Sequence, residues 1–262
     1  MNPELEQFLR LAPLGFLVGA YGTLVGAGGG SVLVPLLLFL MPKRDPAVIT
    51  AISLAVVFFN AYSGTVAYMR MGRVNYRAGI LFTLASIPGA ILGTLLVREL
   101  PAGLFNILFG VMLVGIGSLL VINPLGHHGN HGEEEPEDPP PHADLIGSVG
   151  SAYIAVLSSL LGIGGGIIHV PFLIRALNMQ PHIATATSHF VLTFMALTAT
   201  VTHVLLGELN GAFTETMFLA VGVMMGAPLG AALSTRLRGS LIVRLLALAL
   251  CLVGARLLYR AM

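Results

Sequence analysis

The sequence predicts an all-α polytopic membrane protein made of two tandem homologous repeats, and three observations carry this prediction. Of the 262 residues, 56% are hydrophobic and only 10% are charged. The apolar runs reach the roughly 18 residues that a membrane-spanning helix needs. A glycine-rich motif occurs twice between such runs, and the same order of apolar segments follows each copy.

Each repeat is predicted to have about four membrane segments and to open with a glycine-broken helix. In the first half we expect helices at 5–25, 31–41, 48–69, 79–97 and 104–122. In the second half we expect them at 145–161, 167–177, 183–206, 213–234 and 241–259. The predicted boundaries are residues 1–122 for the first repeat, 123–144 for a linker and 145–262 for the second repeat.

The linker at 123–144 differs from the rest of the chain in composition. It carries four histidines, six acidic residues and several prolines, and it has almost nothing to bury. Histidines in such a tract offer loose metal ligands. The same composition is typical of a solvated connector, which is the interpretation we prefer, so we predict no metal site.

The two halves align at nearly constant offsets. An offset of 136 places Gly26 on Gly162, and an offset of 135 places Thr50 on Thr185. Such matches are typical of internally repeated transporters. If the broken segment crosses the membrane, the repeats are parallel; if it returns as a hairpin, they are inverted. The sequence leaves both arrangements open, together with membrane orientation, although Arg70 and its neighbours favour a cytoplasmic loop.

Each glycine break is predicted to create a half-helix that begins inside the membrane. A helix N-terminus offers unpaired N–H groups and the positive end of the dipole, so two of them together suit an anion. The alternative is that the glycines only let helices pack closely. The residues expected to donate backbone N–H groups are Gly28, Gly29, Gly30, Ser31, Gly164, Gly165, Gly166 and Ile167.

The motif Gly-x-Gly-Gly-Gly followed by Val-Pro, at 26–35 and again at 162–171, resembles that of the TauE/SafE sulfite exporter family, also called the TSUP or DUF81 group. The resemblance covers nearly the whole chain because both halves carry it. It implies a multi-pass transporter of the cell membrane that exports small sulfur-containing anions such as sulfite, thiosulfate or organosulfonates. It also implies that the six glycines at 28–30 and 164–166 are signature positions.

Polar side chains inside the predicted helices extend the candidate substrate site. Hydroxyl groups recur at equivalent positions of both halves, an amide continues the first stripe, and a histidine adjoins the second. An ionisable group within a membrane segment is a functional candidate. These residues are Thr50, Ser53, Asn60, Thr185, Ser188 and His189. The alternative is that the hydroxyls bond to carbonyls of their own helix.

Other functional classes fit the sequence less well. The glycine motif lacks the third glycine of a dinucleotide-binding loop, so we predict neither an enzyme nor a cofactor. With 13 basic and 12 acidic residues there is no patch for nucleic acid. An anion channel is the harder alternative to exclude, because paired half-helices also build pores. The coupling ion, H⁺ or Na⁺, and the oligomeric state stay open.

Overall fold

The computed structural model describes residues 3–25, 28–122, 140–233, 251, 254 and 255. The regular structure of this part is helical. The helices are α1 Pro3–Val25, α2 Gly30–Leu40, α3 Pro46–Arg70, α4 Tyr76–Arg98, α5 Ala102–Ile122, α6 Ala143–Leu161, α7 Gly166–Leu177, α8 Pro181–Leu205 and α9 Phe213–Leu233. Five of them, α3, α4, α6, α8 and α9, are long and apolar enough to cross a membrane.

The helices begin and end within a few residues of the predicted positions, because glycine, proline and polar caps mark those ends in the sequence. Asp45 caps α3 by accepting a hydrogen bond of 2.8 Å from the amide of Ala47. Asn75 caps α4 in the same way. Most of the predicted linker and of the last predicted helix, 241–259, lie outside the described residues.

Both glycine motifs form sharp turns between a long helix and a short one. Gly28 and Gly29 have φ values of 71° and 82°, and Gly164 and Gly165 have φ values of 81° and 73°. Only glycine adopts this left-handed region without strain. The amide of Gly28 donates to the carbonyl of Gly22 at 3.1 Å, which closes the end of α1. Helix α2 follows directly, and we call α1 and α2 the first hairpin. The turn at Gly162–Gly165 joins α6 and α7 in the same way.

The long helices pack mainly across the two halves of the chain. Helix α1 lies along α9, and α6 lies along α4. In the centre, α3 packs against both α8 and α9, while α8 packs against α4. The short helices rest on the helix that follows them, α2 on α3 and α7 on α8. Each half therefore buries its long helices against the other half.

Glycines set the closest helix contacts, as the spacing Gly89-x-x-x-Gly93 and Gly226-x-x-x-Gly230 predicts. A β-carbon built on Gly93 would lie 2.9 Å from the amide nitrogen of Leu160 in α6. One built on Gly226 would lie 2.8 Å from the amide nitrogen of Ala20 in α1. Because backbone meets backbone at both places, these interfaces depend on the missing side chain.

The two hairpins enter from opposite ends of the helix bundle. At one end, Glu215 at the start of α9 pairs with Arg44 at 3.5 Å, just before α3, and accepts a hydrogen bond from Gln7 near the start of α1. At the other end, Arg77 at the start of α4 pairs with Asp144 at the start of α6 at 2.8 Å. The first turn of α8 borders a surface cavity beside this second pair. Helices α1 and α6 therefore run in opposite directions.

The replacement of Gly93 by alanine is expected to destabilise the protein by about 1–3 kcal/mol, because the new methyl group has to push α4 away from the backbone of α6. Thermal unfolding in detergent measures the loss. Gly115 in α5 is the matched control, since a β-carbon there meets no described atom within 4 Å. Equal melting temperatures for the Gly93→Ala and Gly115→Ala variants would contradict the tight interface.

Candidate substrate site

The two glycine turns lie against each other in the middle of the bundle. A β-carbon built on Gly30, at the start of α2, would lie 2.6 Å from the carbonyl carbon of Ile163 and 2.8 Å from the carbonyl oxygen of Gly162. Such short distances mean that the first turn touches the backbone of the second turn directly. The half-helices α2 and α7 thus begin close together.

Two apolar side chains fill the space beside both turns. A β-carbon on Gly28 would lie 2.5 Å from Leu192 of α8 and 3.4 Å from Val57 of α3. A β-carbon on Gly164 would lie 2.6 Å from Val57 and 3.4 Å from Leu192. The two side chains hold equivalent positions in the two halves, at the offset of 135 found in the sequence. Each turn is therefore in contact with α3 and with α8.

Several of the predicted backbone donors are available and two are not. The amide of Gly28 donates to Gly22, and the amide of Gly166 donates to the carbonyl of Gly164 at 3.0 Å. The other amides predicted as donors have no backbone acceptor among the described residues; they belong to Gly29, Gly30, Ser31, Gly164, Gly165 and Ile167. Within the described part of the chain, each half-helix thus begins with N–H groups that have no backbone acceptor.

A buried polar cluster lies beside the first turn. The hydroxyl of Thr23 donates to Oδ1 of Asn60 at 3.1 Å, and the hydroxyl of Tyr68 donates to the carbonyl of Thr23 at 3.1 Å. The hydrogen bond from Thr23 uses the carbonyl oxygen of the Asn60 amide, so the NH₂ group of Asn60 takes no part in it. That Nδ2 has no partner among the described residues and lies 3.5 Å from where a β-carbon of Gly29 would be. It is a buried donor aimed at the start of α2.

His189 belongs to the same cluster. Its ring meets the ring of Tyr68 edge to face, with 5.3 Å between centroids, and lies against Gly64 of α3. The side chain is fully buried. Its ring interacts with the backbone of Thr185 in the preceding turn, yet neither ring nitrogen meets hydrogen-bond geometry with any described residue. A buried group that lacks partners costs about 1–3 kcal/mol, which is a reason to expect a ligand there.

A second buried polar cluster lies beside the second turn. Nε2 of His169 lies 2.9 Å from the Ser151 hydroxyl, and Nδ1 lies 3.2 Å from the Ser188 hydroxyl. These three residues line a cavity of about 10 Å³ that also borders Gly164, Gly165 and Gly166. This volume suits about one water molecule. The second turn therefore also has polar side chains at its start.

The remaining predicted site residues have different environments. Thr50 donates to the carbonyl of Ala47 in its own helix at 2.9 Å, and Ser53 donates to the carbonyl of Gly162 at 2.6 Å. Both hydroxyls are therefore already used within the protein. Thr185 is half-buried near the start of α8. Ser31 is fully buried, and its hydroxyl has no partner among the described residues.

Sequence analysis missed the residues that support these clusters. Thr23, Tyr68 and Ser151 lie on helix faces where apolar packing is the usual explanation. His169 was visible as an intramembrane histidine three residues after the second triple glycine. In the described ranges, no group of three or more His, Cys, Asp or Glu side chains could hold a metal ion.

The fold and the site together define a multi-pass membrane transporter with two broken-helix hairpins that meet inside the bundle. The chain belongs to the TauE/SafE family, since the family described as "Sulfite exporter TauE/SafE" matches residues 11–257. A probable membrane transporter protein of Bacillus subtilis (strain 168), YunE, is 31% identical over 268 residues, which cover 96% of this chain and 97% of the relative.

A second relative extends the comparison. A probable membrane transporter protein of Xylella fastidiosa (strain Temecula1) is 29% identical over 230 residues, which cover 86% of this chain and 84% of the relative. No solved structure matches the chain. The family match covers nearly the full length of the chain, and it includes both glycine motifs that carried the resemblance.

Proposed function

We propose that this protein exports small sulfur-containing anions such as sulfite, thiosulfate or organosulfonates, and that it binds them where the two glycine turns meet. The observation that carries the proposal is a pair of buried groups beside the first turn, the Asn60 NH₂ and the His189 ring, whose nitrogens have no hydrogen-bond partner among the described residues. A polar group that is buried without a partner is stabilised once an anion enters.

The chemistry of the donors supports an oxyanion. Amide N–H groups, a carboxamide and an imidazole offer hydrogen bonds directed at oxygen atoms without a fixed positive charge. Such a site attracts an anion but releases it more easily than a buried arginine pair does, which suits a carrier. The second turn contributes the unpaired amides of Gly165 and Ile167, with His169 and Ser188 close by.

We also propose that the two halves are inverted repeats separated by a linker at 123–144. Three features support this: the nearly constant sequence offset, the opposite directions of α1 and α6, and a packing scheme that stays the same when the halves are exchanged. The exchange replaces α1 by α6, α3 by α8 and α4 by α9. The α1–α9 contact then becomes the α6–α4 contact, and the α3–α8 contact is unchanged. Inverted repeats typically bind substrate at their interface and expose it to each side in turn.

The test is uptake of labelled sulfite, thiosulfate and isethionate into vesicles that contain the purified protein. We expect saturable uptake and counterflow, competition among these anions, and no competition by cations of similar size. Vesicles without protein are the control for sulfite that crosses the lipid as its neutral acid. Failure to transport any of the three anions overturns the proposed substrates, and large single-molecule currents would favour the channel alternative.

A further inference from the structure

A second cluster of ionisable groups lies at the end of the bundle that contains the C-termini of α4 and α8. Oε1 of Glu208 lies 3.1 Å from Nε of Arg98, with which it forms an ion pair. The other carboxylate oxygen, Oε2, is in contact with Nδ1 of His203. The Glu208 side chain is 10% exposed, and His203 is fully buried. Nε2 of His203 has no partner among the described residues. Groups from α4, from α8 and from the loop after it thus meet at one largely buried carboxylate.

The local sequence builds this cluster. Gly207 has a φ of 77°, which turns the chain sharply after α8. The amide of Glu208 then donates to the carbonyl of His203 at 3.1 Å, so the carboxylate folds back over the last turn of α8. Arg98 is the last residue of α4 and is 46% exposed, so it connects the buried pair to water. Basic side chains are also favoured at helix C-termini by the helix dipole.

A comparison of the two halves singles out His203. It lies 135 residues after Tyr68, the offset at which α3 and α8 align. Tyr68 donates its hydroxyl to Thr23 and supports the candidate substrate site. At the equivalent place the second half has an imidazole, whose two ring nitrogens can hold either one proton or two, where the first half has a tyrosine hydroxyl. The exchange adds a protonatable group to one half only.

We propose that the Arg98–Glu208–His203 cluster is a proton-binding site that couples anion transport to proton movement. The inference rests on the proposed function. In the neutral ring, Nδ1–H donates to Glu208, and the incoming proton binds the lone pair of Nε2. Among the described residues, the charged groups within ion-pair distance are Arg98 and Glu208. The added proton therefore gives the cluster a net charge of +1, with the carboxylate of Glu208 shared between Arg98 and the imidazole ring.

The same helix connects the proton site to the substrate site. His203 and His189 are 14 residues apart in α8, which is about four turns, so they lie on one face. A protonated His203 binds Glu208 more strongly and places a second positive charge near Arg98, which weakens the Arg98–Glu208 pair that joins the end of α4 to the end of α8. Loss of the proton restores that attachment. The proton thereby biases the position of α8, which carries Ser188, His189 and Leu192 at the glycine turns.

Vesicles that enclose a pH-sensitive dye and contain the full-length protein test the coupling. Thiosulfate and isethionate are the probes, because both are fully ionised near neutral pH and carry no proton themselves. We expect a gradient of either anion to move protons in wild-type vesicles. In the His203→Gln and Glu208→Gln variants, proton movement should fall to the level of protein-free vesicles, while exchange of labelled for unlabelled anion continues. Arg77→Gln breaks an exposed ion pair and is the matched control.

The outcomes separate the two proposals. Absence of anion transport by the wild type overturns the proposed function and this inference with it. Anion transport without proton movement overturns the coupling alone, as does an unchanged ratio of protons to anions in the His203→Gln variant. Infrared difference spectra between alkaline and acidic buffer give a readout without substrate. An imidazole band that is present in the wild type and absent in His203→Gln supports proton binding, and identical spectra contradict it.

Discussion

Replacement of Asn60 by leucine is expected to weaken anion binding strongly while the protein stays folded. Among the described residues the Asn60 NH₂ is buried without a partner beside the first glycine turn, so its removal eliminates a cost in the empty protein. The Thr23 hydroxyl, which loses Oδ1 of Asn60 as its acceptor, can bond to a carbonyl of its own helix instead. In the occupied site, loss of a hydrogen bond to a charged group costs about 1.5–3 kcal/mol, which corresponds to an affinity roughly 10- to 100-fold lower. Thiosulfate binding to the purified protein measures the change.

The opposite signs of the two effects make this variant informative. A purely structural role for Asn60 predicts a lower melting temperature and, once folded, unchanged binding. Thr216→Val is the matched control. Thr216 is also buried, and its hydroxyl donates to the carbonyl of Ala212, four residues earlier. It lies in the first turn of α9, at the end of the bundle and away from the glycine turns. If Asn60→Leu binds thiosulfate as the wild type does, the anion does not contact this amide.

Replacement of Gly165 by alanine is expected to eliminate transport and to lower stability. Its φ of 73° lies in the left-handed region, where a β-carbon costs about 1–3 kcal/mol. That β-carbon would also lie 2.6 Å from the Ser158 hydroxyl oxygen, so the turn would have to shift. A shift at this point moves the unpaired amides at the start of α7 away from the anion. Uptake of labelled thiosulfate and thermal unfolding in detergent give the two readouts.

Gly72→Ala separates backbone strain from loss of the site. Gly72 has a φ of 66°, and a β-carbon there meets no described atom within 4 Å. It should therefore show a similar strain without loss of transport. Equal transport by the two variants would mean that the second glycine turn does not hold the anion.

The helices and the glycine turns could be predicted because their causes are local. A run of apolar residues between glycines and prolines defines a helix whatever surrounds it. The clusters could not be predicted because they depend on contacts between distant segments. Thr23 and Asn60 are 37 residues apart, and Ser53 meets the carbonyl of Gly162 109 residues away. The spacing of Thr50 and Ser53 predicted free hydroxyls, yet both already have acceptors.

The direction of the hairpins is another property that the sequence left open. The direction depends on whether α2 returns to the end of the bundle where α1 begins. Glu215 of α9 contacts both Gln7, near the start of α1, and Arg44, just after α2, so these two positions lie at the same end. The partner of Glu208 was equally hidden, because Arg98 belongs to the other half of the chain. Long-range pairing of this kind leaves no periodic signal in one sequence.

The packing of α1 against α9 has a consequence for biogenesis. Helix α1 is made before the other described helices, and its partner Phe213–Leu233 is made after them. Until then the backbone of α1 that later meets Gly226 is without its partner. Contacts this far apart in the chain form slowly. Insertion into the bilayer and assembly of the bundle are therefore separate events, and a ribosome that stops before α9 leaves a chain that cannot complete its fold.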